Sequence, residues 1–276
     1  MNVALVILAI ILLVAILCAI LLVYKRVQRS QRAVENLIKT VFTSVEHRLR
    51  YQSNLDGAGE ADVVVVVTRD RADYLQAMIR SVAQCEPTAH IVVVDVGSSD
   101  DTPRVLHQLC AEGVVYVSIR HRIGTVPQWQ KGYGIHEVWR LSSLRAPRSI
   151  TVIDDDMLVR EPFLHKCMAI CSTHDTVAVV ALHRDALQEK NHPAVGSVIV
   201  DGQHIPTGTS FNGAAFYMPW KTLIAWGPPP INEGSNEMSV EDWYYSRALA
   251  ADNQLAAFYP CVIEQQGAVS LREAVQ

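Results

Sequence analysis

Four things are scarce or absent in this 276-residue chain, and each narrows what it can be. No Asn-x-Ser/Thr sequon occurs, so nothing marks the chain for N-linked glycans in a lumenal compartment. Cysteine is sparse. Cys18 lies in the first hydrophobic run, and the five that follow (Cys85, Cys110, Cys167, Cys171 and Cys261) are odd in number and lack framework spacing. That argues against a disulfide-stapled fold. Cys167 and Cys171, one helical turn apart, read as core residues rather than metal ligands. Basic charge is not in excess: 24 Lys and Arg stand against 28 Asp and Glu, a net charge of −4. Nucleic acid is therefore not an expected partner. Finally, one long apolar run begins the chain, and no second run of spanning length follows.

That run, Val3 to Val23, contains only Leu, Ile, Val, Ala and Cys18, with no charge and no proline. About 20 such residues span a hydrocarbon core, so residues 1–24 are expected to be a transmembrane anchor. A signal peptide fits less well, because no positive residue precedes the run and no cleavage site closes it. Lys25, Arg26, Arg29 and Arg32 follow the run, and basic flanks stay cytoplasmic. The expectation is a single-pass membrane protein whose catalytic part faces the cytosol; the alternative is a lumenal, Golgi-type arrangement. In residues 25–60, Val34, Leu37, Ile38, Val41, Phe42, Val45 and Leu49 recur at helical spacing and predict an amphipathic stalk helix. The polar stretch Gln52 to Asp62 marks a boundary, leaving residues 61–276 as one domain.

Within that domain the pattern alternates between strand and helix. Val63–Thr68 is a continuous β-branched run suited to a parallel strand buried on both faces. Arg71 to Gln84 predicts a helix with Leu75, Met78, Ile79 and Val82 inward. His90–Asp95, Val114–Ile119 and Ser149–Asp154 predict further strands, and Asp101-Thr102-Pro103 a helix start with an N-cap. The predicted fold class is α/β, Rossmann-like, with a mostly parallel sheet and helices on both faces. Ligands in such sheets bind beyond the carboxyl ends of the strands, which directs attention to the loops after Thr68, Asp95 and Asp154. The triplet Asp154-Asp155-Asp156 stands at one of those ends. Three adjacent carboxylates repel one another in a half-buried crevice, and a hard cation such as Mg²⁺ or Mn²⁺ offsets that repulsion while leaving room for phosphate oxygens. The plainer reading is a solvated acidic turn.

Val63–Thr68 followed by Arg69-Asp70-Arg71, Ile91–Asp95 followed by Val96-Gly97-Ser98-Ser99-Asp100-Asp101-Thr102, and the acidic triplet resemble, in that order, family 2 glycosyltransferases of the GT-A fold. Glu241-Asp242-Trp243 onward is similar to the acidic helix of that family. The resemblance runs from about Asp62 to Ser270. It implies that Thr68, Asp95, Asp154, Asp155 and Gly213 bind a nucleotide-sugar, and that Asp156, with Asp154, binds Mn²⁺ or Mg²⁺. It makes Asp242, or Glu241 beside it, the base that deprotonates the acceptor, with inversion at the anomeric carbon. The acceptor class is a glycan, lipid-linked or protein hydroxyl.

Departures from the family pattern qualify these roles. Val96 replaces a frequent second Asp, and Arg69-Asp70 stands where Tyr-Asn is common. Gln265 stands where many relatives have a metal-binding His. The Gln-x-x-Arg-Trp motif of processive synthases is absent, so the reading is non-processive. A nucleotidyltransferase would want a glycine in the loop after Thr68, which is missing. A membrane-tethered pseudo-enzyme or scaffold is the remaining alternative. His183, His192 and His204 read as loop or packing residues. Trp129, Trp139, Trp220 and Trp226 read as core, and Trp243 as a candidate for stacking on a sugar. The segment from Gly227 to Asn236 is a candidate lid or surface loop.

Overall fold

The computed structural model describes residues 61–115, 117–120, 131–141, 147–183, 186–229, 240–259 and 263–266. The expected membrane span and stalk helix lie outside these residues. Among the described residues, no helix is long and apolar enough to cross a membrane.

The chain runs β1 (Asp62–Thr68), α1 (Ala72–Cys85), β2 (His90–Asp95), α2 (Thr102–Ala111), β3 (Val117–Arg120), α3 (Lys131–Leu141) and β4 (Ser149–Asp154). It continues through β5 (Met157–Val159), α4 (Leu164–Thr173), β6 (Val177–Ala181), α5 (Ala186–Asn191), β7 (Gly196–Val200) and β8 (Gln203–Gly208). Then come β9 (Ala215–Pro219), α6 (Trp220–Trp226), α7 (Val240–Ala251), β10 (Leu255–Phe258) and β11 (Ile263–Gln265). Nine strands form one sheet in the order β3-β2-β1-β4-β9-β6-β10-β8-β7. β11 and β5 pair separately.

The sheet is mixed, which corrects the expectation of a mostly parallel one. β3, β2, β1 and β4 are parallel, but β9 lies antiparallel between β4 and β6, and β7 and β8 form an antiparallel hairpin. The valine-rich run is why β1 can sit at the centre of the parallel half. Successive side chains of a strand point to opposite faces. Val64 and Val66 accordingly join Leu75, Met78, Leu106, Leu109, Cys167 and Cys171 on one side. Val63 and Val65 join Ile135, Val138, Phe216, Leu223, Tyr245 and Leu249 on the other. Both cysteines of the pair are thus buried in the core, as their spacing suggested.

Helix α3 lies hard against β1. A Cβ built on Gly134 would stand 2.6 Å from both Val65 Cγ1 and Val67 Cγ2, so no larger residue fits without displacement. The third strand begins at Val117 rather than at Val114. The N–H groups of Val114 and Val115 both donate to Leu109 O, closing the end of α2 over Gly113 at φ +73°, and are spent before the ladder begins. The helix α2 starts where expected, with Asp101 at the N-cap and Pro103 in the first turn, but the cap is not made by the Asp101 side chain. Asp101 is helical in backbone and makes no capping bond, its carboxylate being paired to Arg104. Asp100 Oδ1 instead accepts from Thr102 N at 2.9 Å.

Candidate active site at the carboxyl edge

Strand register brings the predicted residues together. Thr68 ends β1 opposite Asp95 of β2, and on the other side Val67 stands opposite Asp154 of β4. Adjacent strands lie about 4.8 Å apart, so Asp95, Thr68 and Asp154 share one short stretch of the sheet's carboxyl edge. Gly213 and Ala214 arrive at the same corner as the turn before β9, where Asp154 N donates to Ala214 O at 2.9 Å. From the far end of the chain, β11 returns antiparallel to β5 and sets Gln265 opposite Met157, and Gln266 N donates to Asp156 O at 2.6 Å. The backbone of Gln265 is therefore next to the acidic triplet.

The two loops at this edge are latched to each other. Asp95 is 1 % exposed, and its Oδ1 accepts from Gly97 N at 3.1 Å and Ser98 N at 2.8 Å. Gly97 has φ +91°, a conformation that costs glycine little. Across the gap, Asp70 Oδ1 accepts from Ser99 N at 2.6 Å and Ser99 Oγ at 3.1 Å, while Asp70 N donates to Ser98 Oγ. The Ser99 N–H holds the Asp70 carboxyl below the usual carboxylate range. Asp70 has φ +51°, a left-handed conformation that Asp and Asn tolerate best. Ala72 N donates to Asp100 Oδ2 and Arg71 N to Thr102 Oγ1. Val96, in place of the frequent second Asp, is buried in the core, and its N–H donates to Thr68 O.

The three carboxylates of the triplet do different things. Asp155 turns inward: it is 7 % exposed and its Oδ2 accepts from Thr68 Oγ1 at 2.8 Å. Burial pushes its carboxyl up to about 6, with Asp154 and Asp156 adding to the rise, while the Thr68 hydrogen bond and the charge of Arg71 oppose it. Asp154 ends β4 half-buried. Asp156 is more open, with Arg71 Nη1 at 3.8 Å from its Oδ2. Among the described residues, no group of three or more His, Cys, Asp or Glu side chains is placed to hold a metal ion. A Mg²⁺ or Mn²⁺ held by one or two carboxylates and by substrate phosphates needs no such cage. Asp156, supported by Asp154, fits that role; Asp155, hydrogen-bonded inward, supports the turn.

Glu241, Asp242 and Trp243 open α7, and their side chains lie outside the described residues. Backbone topology nonetheless places the start of that helix. β10, which follows α7, runs parallel to β6 and hence to β4, so α7 travels back from the carboxyl edge toward the amino edge. Phe211 N, just before β9, donates to Ser246 Oγ at 3.4 Å. Tyr244 Oη donates to Trp226 O at 2.6 Å and Tyr245 Oη to Gly227 O at 3.3 Å. His136 of α3 bonds Pro229 O at 2.6 Å through Nε2, so residues 227–229 are tied down; the rest of the candidate lid, 230–236, lies outside the described residues.

The other residues singled out have structural partners. His183 bonds Ile263 O, His192 bonds Ser210 Oγ, and His204 bonds Ser197 Oγ. Trp139 and Trp220 pack at 5.6 Å between ring centroids, and Trp226 Nε1 donates to Asp252 Oδ2. Trp129 lies outside the described residues. Sequence reasoning missed the Asp70 latch and the Arg71–Asp156 pair. The signal for the first was present: an Asp where Asn is frequent, directly after a strand, is a residue type that accepts a left-handed turn.

Aspartates gathered at the carboxyl edge of a mixed α/β sheet, ending in an Asp-Asp-Asp corner, are the arrangement of a GT-A-like domain. The chain belongs to glycosyl transferase family 2, whose model matches residues 63–217. The match ends before α7. Solved structures share the fold at low identity. A mannosyltransferase, PcManGT from Pyrobaculum calidifontis in complex with GDP-Man and Mn²⁺, is 14 % identical with a TM-score of 0.52, covering 82 % of this chain and 66 % of its own. S. aureus TarS 1-349 is 13 % identical with a TM-score of 0.52, covering 77 % and 62 %. Its complex with UDP-GlcNAc is also 13 % identical, with a TM-score of 0.51, covering 72 % and 56 %. The chain thus spans about two thirds or less of these structures. No curated protein matches it.

Proposed function

We propose that this chain is a non-processive, inverting glycosyltransferase that moves a sugar from a UDP- or GDP-sugar to a hydroxyl acceptor with the help of Mn²⁺ or Mg²⁺. The observation that carries the reading is the convergence of Thr68, Asp95 and the Asp154–Asp156 corner on one edge of the sheet, with Arg71 beside it. The donor complexes of the two solved relatives, GDP-Man in one and UDP-GlcNAc in the other, support a nucleotide-diphosphate sugar as the donor class.

In this reading the Asp95 loop and its neighbours receive the nucleotide, and Gly213 leaves room beside the sugar. Asp156, with Asp154, holds the cation. When bound, that cation neutralises the charge that develops on the departing diphosphate. Asp155 and Thr68 fix the turn that presents Asp156. Asp242, or Glu241 next to it, takes the proton of the acceptor hydroxyl, which is a poor nucleophile until a base removes it; a positioned base is worth about 10²–10⁴-fold. The acceptor is a glycan, lipid-linked or protein hydroxyl. Residues 1–24 anchor the chain in a membrane, with the catalytic domain in the cytosol. Protease protection in sealed vesicles tests that orientation, and a protected catalytic domain would place it in the lumen.

Release of nucleoside diphosphate from a panel of UDP- and GDP-sugars, with acceptor and Mn²⁺, tests the chemistry. Asp242→Asn should retain donor affinity and lose about 10²-fold or more in kcat. A rate near wild type would assign the base elsewhere, and no turnover by the wild-type chain with any donor would leave a binding scaffold.

A further inference from the structure

We propose that Arg71 is an exchangeable counter-charge for Asp156: it holds that carboxylate while the site has no donor, and passes to the phosphate oxygens when a nucleoside diphosphate arrives with its cation. The inference rests on the cation-assisted donor reading above and adds an order of events to it. Arg71 lies at the residue preceding α1, with its N–H fixed by Thr102 Oγ1 and its Cζ 5.6 Å from the centre of the Tyr74 ring. Its Nη1 is 3.8 Å from Asp156 Oδ2, at the outer limit of an ion pair, and neither side chain is fully buried, at 29 % and 14 % exposed. A contact of that length in partial solvent is easily surrendered.

Tyr74 and Asp156 are further joined through Gln266, whose Nε2 donates to Tyr74 O and whose N–H donates to Asp156 O. The guanidinium is therefore carried by the same small structure that carries the carboxylate. A dication and a guanidinium compete for Asp156, since each adds positive charge to one part-buried carboxylate. A diphosphate removes the competition, because its oxygens match the planar fork of arginine. The consequence is that cation alone binds poorly, and cation with nucleotide binds well.

The test is Mn²⁺ binding to the full chain in detergent, read by electron paramagnetic resonance of free Mn²⁺, first alone and then with UDP or GDP. Arg71→Gln is expected to bind Mn²⁺ alone about two- to fivefold more tightly than wild type, the range of a partly exposed ion pair. It should bind the diphosphate in saturating Mn²⁺ more weakly, and Arg71→Lys should restore both affinities toward wild type. The gain in Mn²⁺ affinity should vanish in the Asp156→Ala background. Equal or weaker Mn²⁺ binding by Arg71→Gln, or unchanged diphosphate affinity, overturns the exchange while leaving the cation site standing. Failure of the wild-type chain to bind Mn²⁺ even with either diphosphate present overturns both readings, and the two failures are thus distinguishable.

Discussion

Asp155 shows how much one buried contact settles at this site. Its carboxyl sits under Thr68 and is pushed up to about 6, chiefly by burial. Below about pH 4 the folded and unfolded chains both hold the proton. As pH rises from about 4 through about 6, the unfolded chain releases it first, so stability present at low pH is lost across that window. A displacement of that size corresponds to a loss on the order of 3 kcal/mol in the cation-free protein. Thr68→Val removes a hydrogen bond that favours the ionised form. It should destabilise the protein by about 1 kcal/mol more at pH 7.5 than at pH 5, because hydrogen bonds to charged groups are worth more than neutral ones. Urea midpoints at the two values check this; equal losses would mean that Asp155 stays protonated throughout.

The Thr68–Asp155 contact joins residues 87 positions apart, and nothing in the local sequence announces it. The triplet itself stood out because three carboxylates at the end of an apolar strand repel one another, although a solvated acidic turn was its plainer reading. What was not legible was the division of labour among them. That depends on which side chain the turn after β4 rotates inward, and the burial of neighbours decides it.

At the scale of elements, β1, β2 and β4 were readable because continuous β-branched runs have little choice but to be buried on both faces. The reversal at β9 was not. An apolar run such as Ala215–Pro219 reports burial but carries no sign of direction, and direction makes this sheet mixed. Gly134 is the element-level counterpart: glycine is an unfavourable residue within a helix, yet here it is what lets α3 lie against β1. Gly134→Ala gains about 1 kcal/mol in helix propensity, but the added methyl meets two stiff valines at 2.6 Å. Overpacking costs about 1–3 kcal/mol. The net expectation is a loss of about 0–2 kcal/mol, read as a lower denaturation midpoint; a stabilised variant would show that α3 can move away from β1 freely. The first turn of α7 was assigned from family resemblance alone, and topology now returns it to the edge that carries Asp154.

For the whole molecule, the parallel strands β1, β2 and β4 carry Thr68, Asp95 and Asp154 to one edge of the sheet, the turn before β9 brings Gly213 to the same corner, and the separate β11–β5 pair brings the chain back at Gln265. Gly213, Glu241, Asp242 and Gln265 all come from more than 100 positions after β1, which explains why the parts of the site look unrelated in the sequence. The account depends on Asp156 binding the donor through a cation. Calorimetric titration of GDP- and UDP-sugars into the wild-type chain and Asp156→Ala, each with Mn²⁺ and with chelator, tests this most directly. The prediction is donor binding by the wild type that weakens at least tenfold on chelation, and a variant whose weak binding is indifferent to Mn²⁺. Equal affinity in all four titrations would contradict it.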